Sequence, residues 1–414
     1  MNHESLARQE LITEKILTLL PTTFKESQGV LRHPYISPGG PYSTQLWDWD
    51  SYWVAYAALK IAGKMRLPDL KRQVETYALG SLRNFFDHQG QDGSLPIMSD
   101  PTDADWFDSL KSPDNNMAKP FFGQFALLLW ENGAYPVAEL REEFYHISRF
   151  HECYENRYLD RKTGLFFWAT DLGIGVDDDP AAWGRPTKSC ASIFLNTFLH
   201  LDYLAAAVLA DAIRRPDMAE SYRLKAARLS EAVRKYCYDP REKAYFSVDI
   251  QCRQNIYQHR VYGRLNGKLT PFWHCLRLKV LSWTSLLPFW AGIGTTEEMA
   301  CFVKEHLVAD RLLSAFGVRS LSADEPMYAP EVDRGNPSNW LGGLWVVANF
   351  IAVETLRRHG FDRLADEVSG GQLKMLADDL ARHGYFHEYY SPETGLPVCG
   401  ENFLSWTALA ALYT

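Results

Sequence analysis

The chain has 414 residues, a net charge of −8, 46% hydrophobic residues and 23% charged residues. No Lys/Arg block indicates nucleic-acid binding, and no run of about 18 apolar residues predicts a membrane span, so we expect neither a nucleic acid nor a membrane as partner. The seven cysteines lack Cys-x-x-Cys spacing, which argues against a disulfide framework or a zinc knuckle and favours the cytoplasm.

The first 20 residues alternate charges with Leu and Ile at helical spacing, which predicts an amphipathic helix rather than a signal peptide. Similar spacing recurs along the whole chain, and β-branched alternation is scarce, so strands are expected only in short hairpins. No Pro/Ser/Gly-rich linker divides the sequence, which predicts one domain over residues 1–414. The predicted helices cover roughly 5–20, 51–64, 67–88, 119–132, 137–157, 190–212, 217–236, 280–292, 296–308, 340–358, 362–383 and 402–413.

Turn-forming clusters followed by short extended pieces recur between these helices, and each interval holds about two helices. The clusters lie at 91–96, 160–167, 239–246 and 391–396, with a further turn-rich segment at 314–338. Helices visited in pairs predict an all-α fold, an (α/α)6 barrel in which inner helices surround a central pocket. The alternatives are an irregular all-α protein and an open α-solenoid, whose repeats are usually shorter, at about 34–47 residues.

Carboxylates stand between aromatic rings just before the second predicted helix. Asp48 and Asp50 alternate with Trp47 and Trp49, and Tyr42 precedes them after a glycine turn. Pyranose rings stack their C–H faces on aromatic side chains and need fixed acceptors for their hydroxyls, so this pattern indicates a sugar pocket. Capping of the helix start is the alternative function for one of the two acids.

A second acidic segment follows a Gly-Ile-Gly-Val sequence at residues 173–176 and contains Asp177, Asp178 and Asp179. If buried together, three carboxylates would raise one another's pKa, which suits a proton donor. The alternatives are a solvated acidic loop and a cation site. Hydrolysis of a glycoside requires one protonated and one ionised carboxyl group.

The motifs resemble those of inverting α-glycosidases in glycoside hydrolase families 37 and 63. Residues 38–42 followed by Trp49-Asp50-Ser51-Tyr52 resemble the first signature of trehalases, and residues 319–345 are similar to the central block of family 63. The block differs from the Gln-Trp-Asp tripeptide of trehalases, so trehalose itself is less favoured as substrate. The resemblance implies the (α/α)6 barrel and an inverting hydrolase.

The resemblance also assigns the catalytic roles. Asp177 matches the general acid, with Asp178 as the second choice, and Glu388 in the Glu-Tyr turn near the C-terminus matches the general base. The other candidates for the base are Glu325, Glu393 and Glu401, of which Glu393 lies in a turn that is expected to be exposed.

Further residues are implied as parts of the substrate site. Lys119 and Gln124 lie where trehalases have a Ser-Gln-Pro-Pro segment, although a role at a helix start explains them about as well. Trp183, Arg185 and Arg334 are candidates for binding an anionic aglycone or for pairing with Asp178 and Asp179. The predicted substrate-binding residues are Tyr42, Trp47, Asp48, Trp49, Asp50, Lys119, Gln124, Trp183, Arg185, Trp340, Trp345, Glu401 and Trp406.

The overall resemblance is greatest to the compact bacterial hydrolases of glucosylglycerate and mannosylglycerate, which split a small α-linked osmolyte. The alternatives are a trehalase, a sugar epimerase or isomerase with paired histidines on the same barrel, and a sugar-binding barrel without activity. His33, His274 and His387 are scattered in the sequence and predict no metal site, so we expect no metal and no cofactor. The partner is then a small-molecule glycoside, and homo-oligomerisation is left open.

Overall fold

The computed structural model of the chain describes residues 3–251, 274–331 and 336–413. These residues form eleven α-helices and four 3-10 helices, close to the segments predicted from apolar spacing. The α-helices are α1 His3–Leu19, α2 Asp48–Met65, α3 Pro68–Asp87, α4 Phe122–Glu131, α5 Val137–Arg157, α6 Ile193–Ala212, α7 Pro216–Cys237, α8 Leu287–Trp290, α9 Thr296–His306, α10 Val346–Arg358 and α11 Asp362–His383. The 3-10 helices are Leu20–Thr23, Gly40–Tyr42, Trp283–Leu286 and Ser405–Leu412.

Two predicted helices differ in form from an ordinary α-helix. The segment predicted over 280–292 contains one 3-10 turn followed by the single-turn helix α8, and the segment predicted over 402–413 is the 3-10 helix Ser405–Leu412. The helix predicted from residue 340 begins only at Val346. Gly342 has a φ of +127°, and a side chain there would overlap Tyr328, so the chain cannot be helical at this point.

The inner helices close into a ring, which confirms the (α/α)6 barrel. Around it, α4 packs on α6, α6 on α8, α8 on α10, α10 on the 3-10 helix Ser405–Leu412, and that helix on α2. Aromatic contacts of Tyr52 with Phe121 and Phe125 join α2 to the α4 segment and complete the circle. Helices α3, α7 and α11 pack on the inner helices α2, α6 and α10 as their outer partners. An open solenoid is excluded because the last inner element packs on the first.

The strands of the described residues are two or three residues long and pair in antiparallel fashion. Several pairs are short hairpins, as predicted, but β3 with β4 and β7 with β10 join segments far apart in the chain. Their bounds are β1 Phe24–Lys25, β2 Tyr35–Ile36, β3 Leu46–Trp47, β4 Met98–Ser99, β5 Leu159–Asp160, β6 Leu165–Phe166, β7 Cys190–Ala191, β8 Tyr238–Asp239, β9 Ala244–Tyr245, β10 Val248–Asp249, β11 Leu276–Arg277, β12 Leu313–Ser314, β13 Gly317–Val318, β14 Tyr389–Tyr390 and β15 Pro397–Cys399. The pairs are β1 with β2, β3 with β4, β5 with β6, β8 with β9, β12 with β13 and β14 with β15, while β10 lies between β7 and β11.

Helix α6 is long and apolar enough to cross a membrane by composition alone. However, 83% of its apolar window is buried inside the protein. It is an inner helix of the ring and packs against α4, α7 and α8, which accounts for apolar residues on all of its faces. Its composition therefore reflects burial in the core.

Candidate active site

A cavity of about 260 Å³ lies at the end of the ring where the inner helices begin. Asp50 lies in the first turn of α2, Trp345 directly precedes α10, and Trp406 lies at the start of the last 3-10 helix. We call this cavity the central pocket. Its described lining consists of Pro38, Tyr42, Trp47, Trp49, Asp50, Phe107, Lys119, Asp171, Leu172, Gly173, Gly175, Asp177, Asp178, Asn336, Ser338, Trp340, Trp345, Glu388, Phe403 and Trp406.

The side chains of Asp48 and Lys119 form a buried ion pair, with 2.8 Å between Oδ1 and Nζ and exposures of 0% and 1%. Asp48 also accepts hydrogen bonds from the backbone N–H groups of Trp49 and Lys119, each at 2.7 Å. It therefore holds the start of α2 against the segment before α4 and does not line the pocket. Lys119 packs against Gly175, where φ is +84° and a Cβ atom would lie 2.8 Å from Lys119 Cδ. Only glycine fits there.

Asp50 is buried in the pocket wall, and its Oδ1 accepts a 2.8 Å hydrogen bond from Ser405 Oγ. Burial raises the pKa of Asp50 to about 7, the hydrogen bond from Ser405 opposes this rise, and the charge of Asp48 adds to it. The two acids of the aromatic motif thus differ in role. Asp48 organises the helix start, and Asp50 presents a carboxyl group to the pocket.

Asp177 lies in the loop between β6 and β7 and lines the pocket. Its backbone carbonyl accepts a 3.0 Å hydrogen bond from the N–H of Trp340, which fixes the loop against the opposite wall. Burial raises the pKa of the Asp177 carboxyl to about 6, while the positive charge of Lys119 opposes the rise and the charge of Asp178 adds to it. A hydrogen bond from Asn336 lowers the same pKa.

The neighbouring aspartates differ from Asp177 in position. Asp178 has a left-handed φ of +59° and also lines the pocket, whereas Asp179 is buried outside it and accepts a 2.9 Å hydrogen bond from the Ala181 N–H. The expected repulsion acts on Asp177, whose pKa is raised in part by the charge of Asp178. Burial is the larger cause for all three residues, and the second cause for Asp178 is the charge of Asp171.

Glu388 immediately precedes β14, and its carboxylate is bound from two sides. Its Oε2 accepts a 2.8 Å hydrogen bond from Ser338 Oγ, and Cys399 Sγ lies 3.7 Å from the same oxygen. Tyr42 Oη lies 3.2 Å from Ser338 Oγ and extends the chain of hydroxyls. Burial raises the pKa of Glu388 to about 7 against the hydrogen bonds from Ser338 and Cys399, and the charge of Asp177 contributes to the rise.

Aromatic rings form the walls between these carboxyl groups. Trp340 and Trp345 stack with ring centroids 4.1 Å apart and an angle of 3°, and Trp345 stacks on Tyr389 at 4.7 Å. Trp49 packs at an angle against Trp406, with centroids 5.1 Å apart. The indole N–H groups of Trp345 and Trp406 are buried and have no hydrogen-bond partner in the described part of the chain. An unpaired buried donor is unfavourable, so these two N–H groups lower the stability of the pocket wall.

Ten of the predicted site residues line the central pocket. They are Tyr42, Trp47, Trp49, Asp50, Lys119, Asp177, Trp340, Trp345, Glu388 and Trp406. Their convergence at one end of the barrel is the arrangement that the sequence motifs predict. Their individual roles stay predictions.

Five predicted residues do not line the central pocket, namely Asp48, described above, and Gln124, Trp183, Arg185 and Glu401. The Gln124 amide donates to the carbonyl of Pro120 at 3.0 Å, and its side chain lines a different groove, beside Tyr52. The guanidinium of Arg185 pairs with Asp249 rather than with Asp178 or Asp179. Trp183 is 52% exposed, and Glu401 is exposed in the loop after β15. Arg334 lies outside the described residues.

Glu325 and Glu393, two other candidates for the general base, lie outside the central pocket. Glu325 accepts a 2.7 Å hydrogen bond from the Leu281 N–H, and Glu393 pairs with Arg319 at 3.2 Å with half of its side chain exposed, as predicted for its turn. Neither lines the central pocket. Glu388 is therefore the pocket-lining residue among the glutamates considered.

The pocket lining also includes residues that the sequence motifs did not predict, among them Asp171, Phe107, Asn336 and Ser338. Ser338 and Asn336 belong to the segment that carries the family 63 resemblance, so their position was available as a signal. Their short polar side chains gave no pattern that distinguishes a ligand-binding residue from an ordinary turn residue.

The histidine prediction requires one correction. His387 is not isolated, because His383 and Asp379 lie beside it, and the three ligand-type atoms lie within 4.8 Å of one another. This cluster does not line the central pocket. The four-residue spacing of Asp379 and His383 was the available signal in the sequence, and His387 joins them because the chain turns back at Gly384 after α11.

The chain is similar in sequence and fold to known glycoside hydrolases. The family model described as the mannosylglycerate hydrolase MGH1-like glycoside hydrolase domain matches residues 43–407. The mannosylglycerate hydrolase MGH1 of Selaginella moellendorffii is 30% identical over 128 residues, which cover 30% of this chain and 23% of that protein. The matched segment thus spans about a quarter of this curated relative.

Solved structures share the whole fold. The GH63 mannosylglycerate hydrolase from Thermus thermophilus, solved in complex with glucose, has a TM-score of 0.69 and 20% identity, with 97% of this chain and 99% of that chain covered. The same enzyme, in complex with Tris and D-glycerate, gives a TM-score of 0.68 and 19% identity over the same coverage. Neutral trehalase Nth1 from Saccharomyces cerevisiae has a TM-score of 0.62 and 17% identity, with 92% and 74% covered.

Proposed function

Because the chain belongs to the family of the mannosylglycerate hydrolase MGH1-like glycoside hydrolase domain, we propose that it hydrolyses a small α-linked glycosylglycerate with inversion. The observation that carries the proposal is the pair of buried carboxyl groups, Asp177 and Glu388, in one aromatic-walled pocket. The charge of Asp177 raises the pKa of Glu388, so the two groups interact across the pocket. Most glycosidases use such a pair of carboxyl groups for catalysis.

In the proposed reaction, Asp177 protonates the departing glycosidic oxygen while Glu388 removes a proton from the attacking water. The raised pKa of Asp177, about 6, leaves part of this carboxyl protonated near neutral pH. The hydrogen bonds from Ser338 and Cys399 favour the ionised form of Glu388. Burial raises both pKa values, so the division of roles is taken from the resemblance of the two loops to the acid and base segments of the clan.

The sugar ring is proposed to lie against the tryptophan walls of the central pocket. Trp49, Trp340, Trp345 and Trp406 line the pocket, and the ring faces of Trp340 and Trp345 are covered within a stack that runs from Trp283 to Tyr389. Asp50, held by Ser405, offers an acceptor for two hydroxyls. This combination of aromatic rings and fixed polar groups suits a pyranose.

The aglycone is the open part of the proposal. D-glycerate in the complex of the Thermus enzyme supports a glycerate aglycone. The described pocket lining, however, has five carboxyl groups, on Asp50, Asp171, Asp177, Asp178 and Glu388, and its one cationic side chain, Lys119, is already paired. Because this described lining is rich in carboxyl groups, an α-linked disaccharide with a neutral aglycone, such as trehalose, is the second candidate. An epimerase is disfavoured because the described pocket lining contains no histidine.

A substrate panel tests the proposal. The purified chain is incubated with mannosylglycerate, glucosylglycerate, glucosylglycerol and trehalose, and released monosaccharide is measured with Asp177→Asn and Glu388→Gln as controls. We expect release from a glycosylglycerate in the wild-type protein and release slower by roughly 10²–10⁴-fold in the controls. Preferential hydrolysis of trehalose would support the second candidate, and no release from any α-glycoside would contradict hydrolysis.

The cellular setting is also a proposal. We propose a cytoplasmic enzyme that forms one domain over residues 1–414 and acts without a cofactor. Support for a cytoplasmic setting comes from Cys153, Cys190 and Cys237, which are buried and form no disulfide bond. Free buried thiols are typical of a reducing compartment.

A further inference from the structure

A carboxylate and two imidazoles meet behind the strand that follows Glu388. Asp379 and His383 lie one turn apart in the last part of α11, and Asp379 Oδ1 is 2.8 Å from His383 Nδ1. Gly384, with a φ of +77°, ends the helix and turns the chain back. His387 then places its Nδ1 3.0 Å from Asp379 Oδ2.

We propose that Asp379, His383 and His387 form a binding site for Zn²⁺ or a neighbouring divalent transition ion. Imidazole nitrogens and carboxylate oxygens bind these ions at about 2.0–2.2 Å, so neighbouring ligand atoms stand roughly 3 Å apart. The observed separations of 2.8 Å and 3.0 Å match this spacing. All three ligand-type atoms also lie within 4.8 Å of one another, so small movements of the two imidazoles would bring them around one ion.

The surroundings hold the ligands in place. Tyr390 Oη donates a 2.7 Å hydrogen bond to Asp379 Oδ2 and accepts one of 3.0 Å from the backbone N–H of His387. Such outer partners orient the ligands of metal sites. The Asp379 side chain is fully buried, whereas His383 is 37% exposed and gives an ion access from solvent, with water to complete its coordination.

Binding requires a change of tautomer and a small rotation of each ring, because each Nδ1 is directed at the Asp379 carboxylate. In the absence of an ion, each Nδ1–H donates to the Asp379 carboxylate. When an ion binds, each Nδ1 lone pair coordinates it and the ring proton resides on Nε2, so neutral imidazoles bind without loss of a proton and without any change of oxidation state.

The site is separate from the central pocket. His387 and Glu388 are consecutive residues of an extended segment, and Glu388 lines the pocket while His387 does not. A bound ion would therefore join the end of α11 to the hairpin of β14 and β15 from behind. Its expected effect is to stabilise the fold by binding only the native state, rather than to act on the substrate.

Titration of the metal-free full chain with Co²⁺ tests the site, because Co²⁺ replaces Zn²⁺ and absorbs visible light. We expect saturable binding of one ion with a d–d absorption band, and a rise of Tm when Zn²⁺ is added. His383→Ala, a partly exposed position, should weaken Co²⁺ binding by roughly tenfold or more, and Asp379→Asn should do the same. The d–d absorption band reports Co²⁺ binding directly, so the result does not depend on enzymatic activity or on the identity of the substrate.

The matched control is His33→Ala, which removes a histidine that faces Asp87 at 3.3 Å as a single pair. This variant should bind Co²⁺ like the wild type. Melting curves without metal show whether each variant is folded, and a folded His383→Ala protein with unchanged Co²⁺ affinity would overturn the proposal. Absence of stoichiometric binding in the wild type would also overturn it, and the cluster would then be only a hydrogen-bonded anchor.

Discussion

The Oγ atom of Ser338 lies 2.8 Å from Oε2 of Glu388, and it links this carboxylate to the hydroxyl of Tyr42. A hydrogen bond to the ionised form of a carboxyl group lowers its pKa. Ser338 therefore opposes the burial that raises the pKa of Glu388 to about 7. A general base must be ionised to accept a proton. The Ser338 hydroxyl therefore increases the fraction of enzyme molecules in which Glu388 is ionised.

Replacing Ser338 by Ala should raise the pKa of Glu388 further. The kcat/KM profile should be bell-shaped, with an acidic limb near the pKa of Asp177, about 6, and an alkaline limb near that of Glu388, about 7. In the active form of the enzyme, Asp177 is protonated and Glu388 is ionised. This form is the minor one of the two singly protonated forms, because Glu388 has the higher pKa. Ser338→Ala should therefore move the alkaline limb to higher pH and lower the maximum of kcat/KM, because the proton moves further onto the base.

The matched control for this prediction is Ser148→Ala, on the outer helix α5. Its profile should coincide with that of the wild type. An alkaline limb and a maximum that stay unchanged in Ser338→Ala would show that Ser338 does not tune the base.

Substrates with different leaving groups distinguish the general acid from the general base. Asp177→Asn and Glu388→Gln should each reduce turnover of a natural glycoside by roughly 10²–10⁴-fold. An aryl glycoside with an acidic phenol needs no protonation on departure, so Asp177→Asn should recover much of its rate on that substrate and Glu388→Gln should not. The reverse pattern would exchange the two roles.

Inversion makes a stereochemical prediction. Room for a water molecule requires the carboxyl groups of Asp177 and Glu388 to lie about 6.5–9.5 Å apart, rather than about 5–5.5 Å as in a retaining pair. An α-glucoside should then release β-glucose first, which NMR of the nascent product detects. Initial release of the α anomer would contradict inversion.

The buried pair of Asp48 and Lys119 predicts a stability effect. Lys119→Met leaves the fully buried Asp48 without its cation, which should reduce the free energy of unfolding by about 3–5 kcal/mol. Adding Asp48→Asn to it should recover part of the loss. Since Lys119 lowers the pKa of Asp177, its removal should also move the acidic limb of the activity profile to higher pH. Equal stability of the single and double variants would show that the pair is not coupled.

Chelation should leave the hydrolytic rate unchanged. The carboxyl groups of the central pocket are proposed to act as acid and base, and the proposed metal site lies outside the pocket. After exhaustive dialysis against EDTA, kcat should stay within about twofold of its starting value, because no step of acid–base hydrolysis needs a metal. Lost activity that returns with added metal would place an ion in the reaction.

Local patterns in the sequence predicted most of the architecture. Apolar residues every three to four positions mark helices because one face of each helix must be buried, and the resulting segments agree with α2, α3, α5, α7 and α11 to within a few residues. The turn at residues 160–163 follows the same local logic, since Asp160 accepts hydrogen bonds from its own turn at Thr163. The aromatic and acidic motif at Trp49 and Asp50 likewise depends on adjacent residues.

Tertiary structure decided which polar side chains face the pocket. Gln124 and Arg185 resemble ligand-binding residues in sequence, yet Pro120 and Asp249 are their partners. Ser338 gave no signal, although it is bound to Glu388 from 50 residues away. The sequence itself determined the helices, the hairpins and the acid-rich aromatic motifs, because these follow from neighbouring residues. The partners of each polar group depended on ring closure, which brings together side chains that no sequence period relates.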